Sequence, residues 1–334
     1  MFIVTNYGFA VLLCFITMLC WGSWGNTQKL AGKSWRYELF YWDYVIGVLI
    51  LSLVAAFTLG SIGENGRSFI PDIKQVETGY FISALVGGAI FNLSNILLSA
   101  SVSIAGLAVA FPLGVGLALV LGVFINYFNT PKGDPFLLFL GVVLIVVAII
   151  VNALAYKKMG NNKDQKSKTK GLILAIIAGI LMSTFYRFIA ASMDMNNFNS
   201  PETGKMTPYT AMFVFALGMF LSNFIINTIV MRKPFVGIPT TYKEYFSGNI
   251  GTHVVGVLGG LIWGLGNLLS LIAAEKAGAA ISYGLGQGAT MVAAFWGVFI
   301  WKEFKGANKH IKSMITSMFI LFVLGLSLIV FSGR

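Results

Sequence analysis

The sequence predicts an all-α integral membrane protein of ten transmembrane helices, arranged as two five-helix halves of inverted topology. Three observations predict this: the composition, the placement of the charges, and a stretch that occurs twice. Of the 334 residues, 57% are hydrophobic and only 10% are charged, and the mean hydropathy is +0.82. A soluble domain carries roughly 25% charged residues, so this chain has too few to cover a water-exposed surface. The formal net charge of +11 would suit a nucleic-acid partner, but the charges lie in short tracts between apolar runs. That pattern suits loops beside anionic lipid and argues against nucleic acid.

The repeated stretch is GGAIFNLSNILLSASVSIAGLAVAFPLGVG at 87–116 and GGLIWGLGNLLSLIAAEKAGAAISYGLGQG at 259–288. Laid over each other without a gap, they match Gly87 with Gly259, Gly88 with Gly260, Asn95 with Asn267, Gly106 with Gly278, Gly114 with Gly286 and Gly116 with Gly288. Apolar matches mean little in so apolar a chain. Glycines and an asparagine held in register point to an internal duplication.

A helix needs about 20 mainly apolar residues to cross a bilayer. Such runs lie near 5–28, 39–60, 79–102, 106–127, 135–156, 171–192, 208–231, 251–274, 279–301 and 311–331. The basic tract KKMGNNKDQKSKTK at 157–170 separates five from five, giving a first repeat at 1–156, a linker, and a second repeat at 171–334. The first run lacks a basic n-region and a small-residue cleavage site, so it reads as a retained span. Cys14 and Cys20, both inside it, stand six residues apart and cannot bridge within one helix. Gly106 and Gly278 make spans 3–4 and 8–9 tight hairpins, and the glycine pairs Gly87, Gly88, Gly259 and Gly260 read as packing or hinge positions.

Lysine and arginine placement sets the orientation. With 157–170 in the cytoplasm, loops on that side carry Lys29, Lys33, Arg36, Arg232, Lys233, Lys243, Lys302, Lys305, Lys309 and Lys312, against Arg67, Lys74, Lys132, Lys205 and Lys276 opposite. Both termini are then expected outside the cytoplasm. Five spans per half force the second repeat to enter from the opposite face, as in transporters that alternate access about a central site.

Polar groups inside spans are functional candidates by default. Arg187 lies deep in span 6, either pairing with Asp194 or facing a cavity. Asp43, inside span 2 among Tyr41, Trp42 and Tyr44, is either a carrier of a coupling proton or an interfacial carboxylate. Glu38 reads as loop, and Glu275 with Lys276 as a pair ending span 8. Asn92, Asn95 and Asn267 offer amide donors and acceptors, or else bind helix to helix. Gln287 sits between glycines. Trp21, Trp24, Asn26 and Trp263 add aromatic faces and an amide, suited to a sugar or a flat heterocycle. No P-loop, HExxH, paired Cys/His tract or nucleophile elbow is present, so neither ATP use, a metal, a cofactor nor enzymatic chemistry is expected. His253 and His310 fall at span ends.

In the order CWGSWGNTQKL, RYELFYWDYVIG, GGAIFNLSNILL, HVVGVLGGLIWGLGN, AISYGLGQG and WGVFIWKEFKGA, the chain resembles the drug/metabolite transporter superfamily. The likeness is to the branch of ureide permeases, bacterial glucose/ribose uptake proteins and the rhamnose–proton symporter. That resemblance implies ten spans as a 5+5 inverted repeat and uptake of small polar solutes, often with protons. It leads to the expectation of a secondary transporter of a bacterial inner membrane, importing a monosaccharide or a ureide or nucleobase-like compound by symport. Trp21, Trp24, Asn26, Asn92, Asn95, Arg187, Trp263, Asn267 and Gln287 would then meet the solute, and Asp43 the proton. An exporter of drugs or metabolites and a non-transporting structural subunit are the alternatives, and a homodimer is left open. The orientation has a direct check: cysteines placed in 157–170 of a cysteine-free chain are expected to react with an impermeant maleimide only from the cytoplasmic face.

Overall fold

The computed structural model describes the backbone of residues 1–32, 35–159, 165–302 and 304–334; Lys33 and the centre of the basic tract lie outside the described residues. The helices are α1 (Tyr7–Ser23), α2 (Gly25–Leu30), α3 (Tyr37–Phe57), α4 (Phe69–Gln75), α5 (Thr78–Ala105), α6 (Leu107–Asn129), α7 (Pro135–Met159), α8 (Gln165–Ala191), α9 (Pro208–Arg232), α10 (Tyr242–Phe246), α11 (Ile250–Ala277), α12 (Ala279–Gln287), α13 (Ala289–Phe295) and α14 (Lys309–Ser332), with a π turn at Trp296–Ile300. Among the described residues, ten stretches are long and apolar enough to cross a membrane: α1 with α2, α3, α5, α6, α7, α8, α9, α11, α12 through the π turn, and α14. Their limits fall within a few residues of the apolar runs. In hydrocarbon each backbone N–H and C=O must find its partner inside the same element or a closed barrel, and runs of this length satisfy that as helices.

Helix ends are marked by residues that suit them. The side chains of Asn6, Asn249 and Asn308 accept from the N–H groups of Phe9, Gly251 and Ile311, which would otherwise lack partners. Gly106 and Gly278 take φ of +87° and +85°, a region that glycine enters without a Cβ clash. Each turns one matched helix directly into the next.

The matched segments also pack alike. α5 lies against α8 and α9, and α11 lies against α1 and α3. At the α11–α3 crossing, a Cβ on Gly260 would stand 1.9 Å from the Tyr44 carbonyl oxygen, and one on Gly47 would stand 2.2 Å from that of Val257. At the α5–α9 crossing the corresponding distances are 2.0 Å from Gly88 to Phe215 and 2.1 Å from Gly218 to Leu85. Backbone therefore touches backbone at both places. Gly259 is as tight, facing Thr27 Oγ1 at 2.4 Å, whereas Gly87 has 3.1 Å to its nearest neighbour.

Three features depart from the sequence expectations. Span 9 is not one continuous helix: α12 stops at Gln287, Gly288 N–H bonds back to Leu285 at 3.0 Å, and α13 begins at Ala289. Gly284, Gly286 and Gly288 lower the helical preference enough for the break to form there. Glu38 is not loop. It sits in the first turn of α3, fully buried, with Arg36 Nη2 2.6 Å and Nε 3.2 Å from its carboxylate oxygens. The short helices α4 and α10 were not expected at all. Each bridges two spans at one end of the bundle. At the end opposite the linker, Asp72 of α4 is gripped by Arg67 at 3.0 Å and by the backbone and hydroxyl of Thr207 at 2.8 and 2.9 Å.

Gly88→Ala and Gly260→Ala are each expected to lower stability by about 1–3 kcal/mol, the usual cost of overpacking. Melting of the detergent-purified variants measures this. A melting temperature unchanged in both would mean that the helices do not cross at this distance.

Candidate functional site

Near the middle of the bundle, α1, α5, α6, α8, α11 and the break in span 9 border a narrow pocket. Trp21, Trp24, Phe91, Asn95, Leu98, Phe111, Val115, Met182, Phe185, Trp263, Gln287 and Ala289 line it. Two pairs of these, Phe91 with Trp263 and Val115 with Gln287, occupy matched positions of the repeated stretch. Phe91 and Trp263 stack on each other, with centroids 4.1 Å apart. Trp21 lies parallel to Trp263 within 8°, at 6.0 Å. The aromatic faces are therefore close and mostly flat on one another, which leaves a narrow space.

The polar atoms at this space are short of partners. Trp21 Nε1 is buried without a hydrogen bond, whereas Asn95 Nδ2 and the Tyr44 hydroxyl behind Trp24, which make no hydrogen bond of ordinary geometry, lie within reach of each other. A buried N–H with no acceptor costs about 1–3 kcal/mol, and such groups in native proteins call for water, an ion or a ligand. The surrounding hydroxyls, in contrast, are tied up. Tyr283 donates to the Met182 carbonyl at 3.1 Å, holding α12 to α8, and Tyr186, Ser270 and Ser282 form a closed chain at 3.1 and 2.9 Å.

Of the residues singled out in the sequence, Trp21, Trp24, Asn95, Trp263 and Gln287 come together here. The others do not reach the lining. Asn26 accepts from Trp301 Nε1 at 2.7 Å and joins α2 to the end of span 9. Asn92 donates to Ser222 at 3.0 Å, and Asn267 to the Met212 sulfur at 3.1 Å. Arg187 is exposed on the flank of α8 rather than turned into the pocket. Asp194 does not pair with it either, since its carboxylate accepts from the backbone of Asn196 and Glu202. The Glu275–Lys276 pair is present at 2.7 Å.

Asp43 belongs to a second cluster, toward the linker end. It is buried, with Tyr245 Oη at 2.7 Å, His253 Nδ1 at 2.8 Å and Trp35 Nε1 at 3.3 Å. Burial, and then the hydrogen bond to Asp43, push the Tyr245 phenol well above its ordinary range, so it stays a proton donor at neutral pH. His253 and Tyr245 lie about two hundred residues from Asp43, and no local sequence signal links them.

Ten helices long and apolar enough to cross a membrane surround an aromatic pocket, and the proteins this chain is similar to are permeases, membrane transporters of small solutes. A family model described as ureide permease matches residues 40–171 and 165–332, and the chain belongs to that family. It is similar to ureide permease 1 of Arabidopsis thaliana, 23% identical over 100% of this chain and 99% of the relative. Ureide permease 5 of the same plant is 24% identical over 99% and 96%. The glucose uptake protein GlcU of Bacillus subtilis (strain 168) is 24% identical over 93% and 95%. One protein of known crystal structure shares the fold, with a TM-score of 0.59 over 97% of this chain and 96% of its own, at 14% identity.

Asn95→Leu, close in volume, removes the idle amide. It is expected to leave the melting temperature unchanged or raised while weakening solute binding about tenfold or more, as read by titration calorimetry. Lower stability with intact binding would make Asn95 a structural residue.

Proposed function

We propose that this protein imports a small, flat, carbonyl-bearing solute of the ureide or nucleobase type, by alternating access and with a proton. The observation that carries the reading is the pair of buried N–H donors, Trp21 Nε1 and Asn95 Nδ2, set among parallel aromatic faces. Donors without acceptors select a solute that brings acceptors, and stacked rings select one that is thin. A carbonyl group on a planar heterocycle offers both. Gln287, at the break in span 9, is placed to read the solute's other edge with its own donor and acceptor.

The matched glycine crossings and the pseudo-equivalent lining pairs support the inverted repeat, in which one half rocks against the other. In the closed arrangement the rings of Trp21 and Trp263 must part for a solute to enter, so loading and opening are coupled. With the linker in the cytoplasm, the Arg67–Asp72–Thr207 cluster stands at the outer face and the Asp43 cluster at the inner one. The Asp43 cluster is the site for the coupling proton. Asn92 and Asn267, one layer away from the pocket, would meet the solute only after the helices shift, and exposed Arg187 takes no part in this closed state.

The relative described as a glucose uptake protein supports a second reading, a monosaccharide, whose ring hydroxyls can also accept from these donors. Uptake into proteoliposomes separates the two. The expected result is accumulation of a labelled ureide or nucleobase, driven by an inward proton gradient and lost in Trp21→Phe. Accumulation of glucose alone would establish the monosaccharide reading, and outward movement of every solute tested would make the protein an exporter.

A further inference from the structure

The cluster around Asp43 joins three separate pieces of chain. Trp35 comes from the stretch before α3, Tyr245 from the short helix α10, and His253 from the first turn of α11. One turn beyond His253 stands Gly256, where a Cβ would fall 2.4 Å from that of Asp43. α11 has been cleared so that the carboxylate can sit against it. The three rings close around the acid: Trp35 and Tyr245 each lie 4.8 Å from the His253 ring, edge to face. The imidazole is about one-fifth exposed, and the Tyr245 ring is also partly exposed, so the cluster opens on their side.

Other charged groups nearby are engaged elsewhere or face solvent. On the α3 side, Arg36 and Glu38 pair with each other. On α10, Glu244 accepts from Thr240, and Lys243 is exposed. On α11, His253 is the titratable group that faces Asp43. On α3 itself, Tyr41 donates away from it to the Asn92 carbonyl.

The equivalent bridge at the other end is built differently. α4 is held by Asp72 against Arg67 and Thr207, and by Phe69 packed on Phe57 and Phe213. Arginine keeps its proton at any pH the protein meets, whereas histidine changes charge near neutrality. Of the two bridges, the one at the linker end contains a group able to gain and lose a proton in that range.

We propose that Asp43 and His253 together form a proton-operated latch, and that Tyr245 makes α10 the part that answers to it. With a proton on the imidazole, the buried pair is an ion pair without net charge, and α10 stays fastened through the Tyr245 hydroxyl. When that proton leaves to water through the exposed edge of His253, an uncompensated carboxylate remains buried. Such a charge is costly, and the cheapest relief is hydration, which requires α10 to lift. The sign follows: the latch is closed while the pair holds the proton and opens when it is lost, so raising the pH favours opening. The proposal rests on reading the Asp43 cluster as the coupling site; it makes His253 the group that holds the proton, Asp43 its counter-charge and Tyr245 the positioning residue, with a stated direction.

Hydrogen exchange of the full chain in nanodiscs, corrected for intrinsic rates, tests it on the segment 240–256. Exchange of α10 is expected to rise about tenfold from about pH 6 to about pH 8, while α4 stays constant. In His253→Gln, which donates a hydrogen bond but carries no proton, the rise should vanish. Tyr245→Phe keeps the ring and loses the bond, so α10 should exchange fast at both pH values. A flat native profile, or a rise that survives in His253→Gln, overturns the latch. Solute counterflow at equal pH on both sides, run on the same preparations, keeps the two readings apart. Native counterflow with flat exchange removes the latch alone, and absent counterflow with the expected exchange removes the transport reading alone.

Discussion

Two helix crossings with nothing but backbone between them control the arrangement of this protein. Gly47 against Gly260, with Gly88 on the Phe215 backbone and Gly218 on that of Leu85, bring α3 onto α11 and α9 onto α5 closer than any side chain allows. Lipid tails are as apolar as leucine, so helices in a bilayer gain little from burying apolar surface against each other. Close van der Waals contact has to supply the association. The two crossings fix where α5 and α11 run, and those two helices carry Phe91, Asn95 and Trp263 into the pocket. The site is thus a consequence of the packing of small residues that are themselves remote from it.

Closeness of that kind explains why the pocket keeps unpaired donors. Helices held by backbone contact have little freedom to slide toward a better partner for Asn95 Nδ2, and the aromatic layer around Trp21 Nε1 offers it no bonded acceptor. Ordinary core hydroxyls in the same region, such as those of Tyr186, Ser270 and Ser282, are bonded in full.

Much of this was legible in the sequence. The ten spans followed from run length, and the repeated glycines pointed at the crossings and the hairpin turns. Trp21, Trp24, Asn95, Trp263 and Gln287 stood out because tryptophans and amides are conspicuous in an apolar chain. Phe91, Phe111 and Phe185 did not, since with 28 phenylalanines no single one carries a signal. The rotation of a span was harder to read. Helices that are apolar all round give no periodicity to say which face turns inward, so Arg187 could be assigned to a depth but not to a side. The Asp43–His253 contact depends on which helix lies beside which, and α4 and α10 are too short for any pattern to show.

The lining pairs at matched positions have a further meaning. Phe91 stacks on Trp263, and Val115 and Gln287 line the same pocket, so matched positions of the repeated stretch bring different chemistry to it. Two identical copies would present a guest with twin walls and let it sit either way round. Here one of the two matched walls is larger and more polar than the other. The pocket therefore has a front and a back, and a guest with two unlike edges would be held there in one attitude.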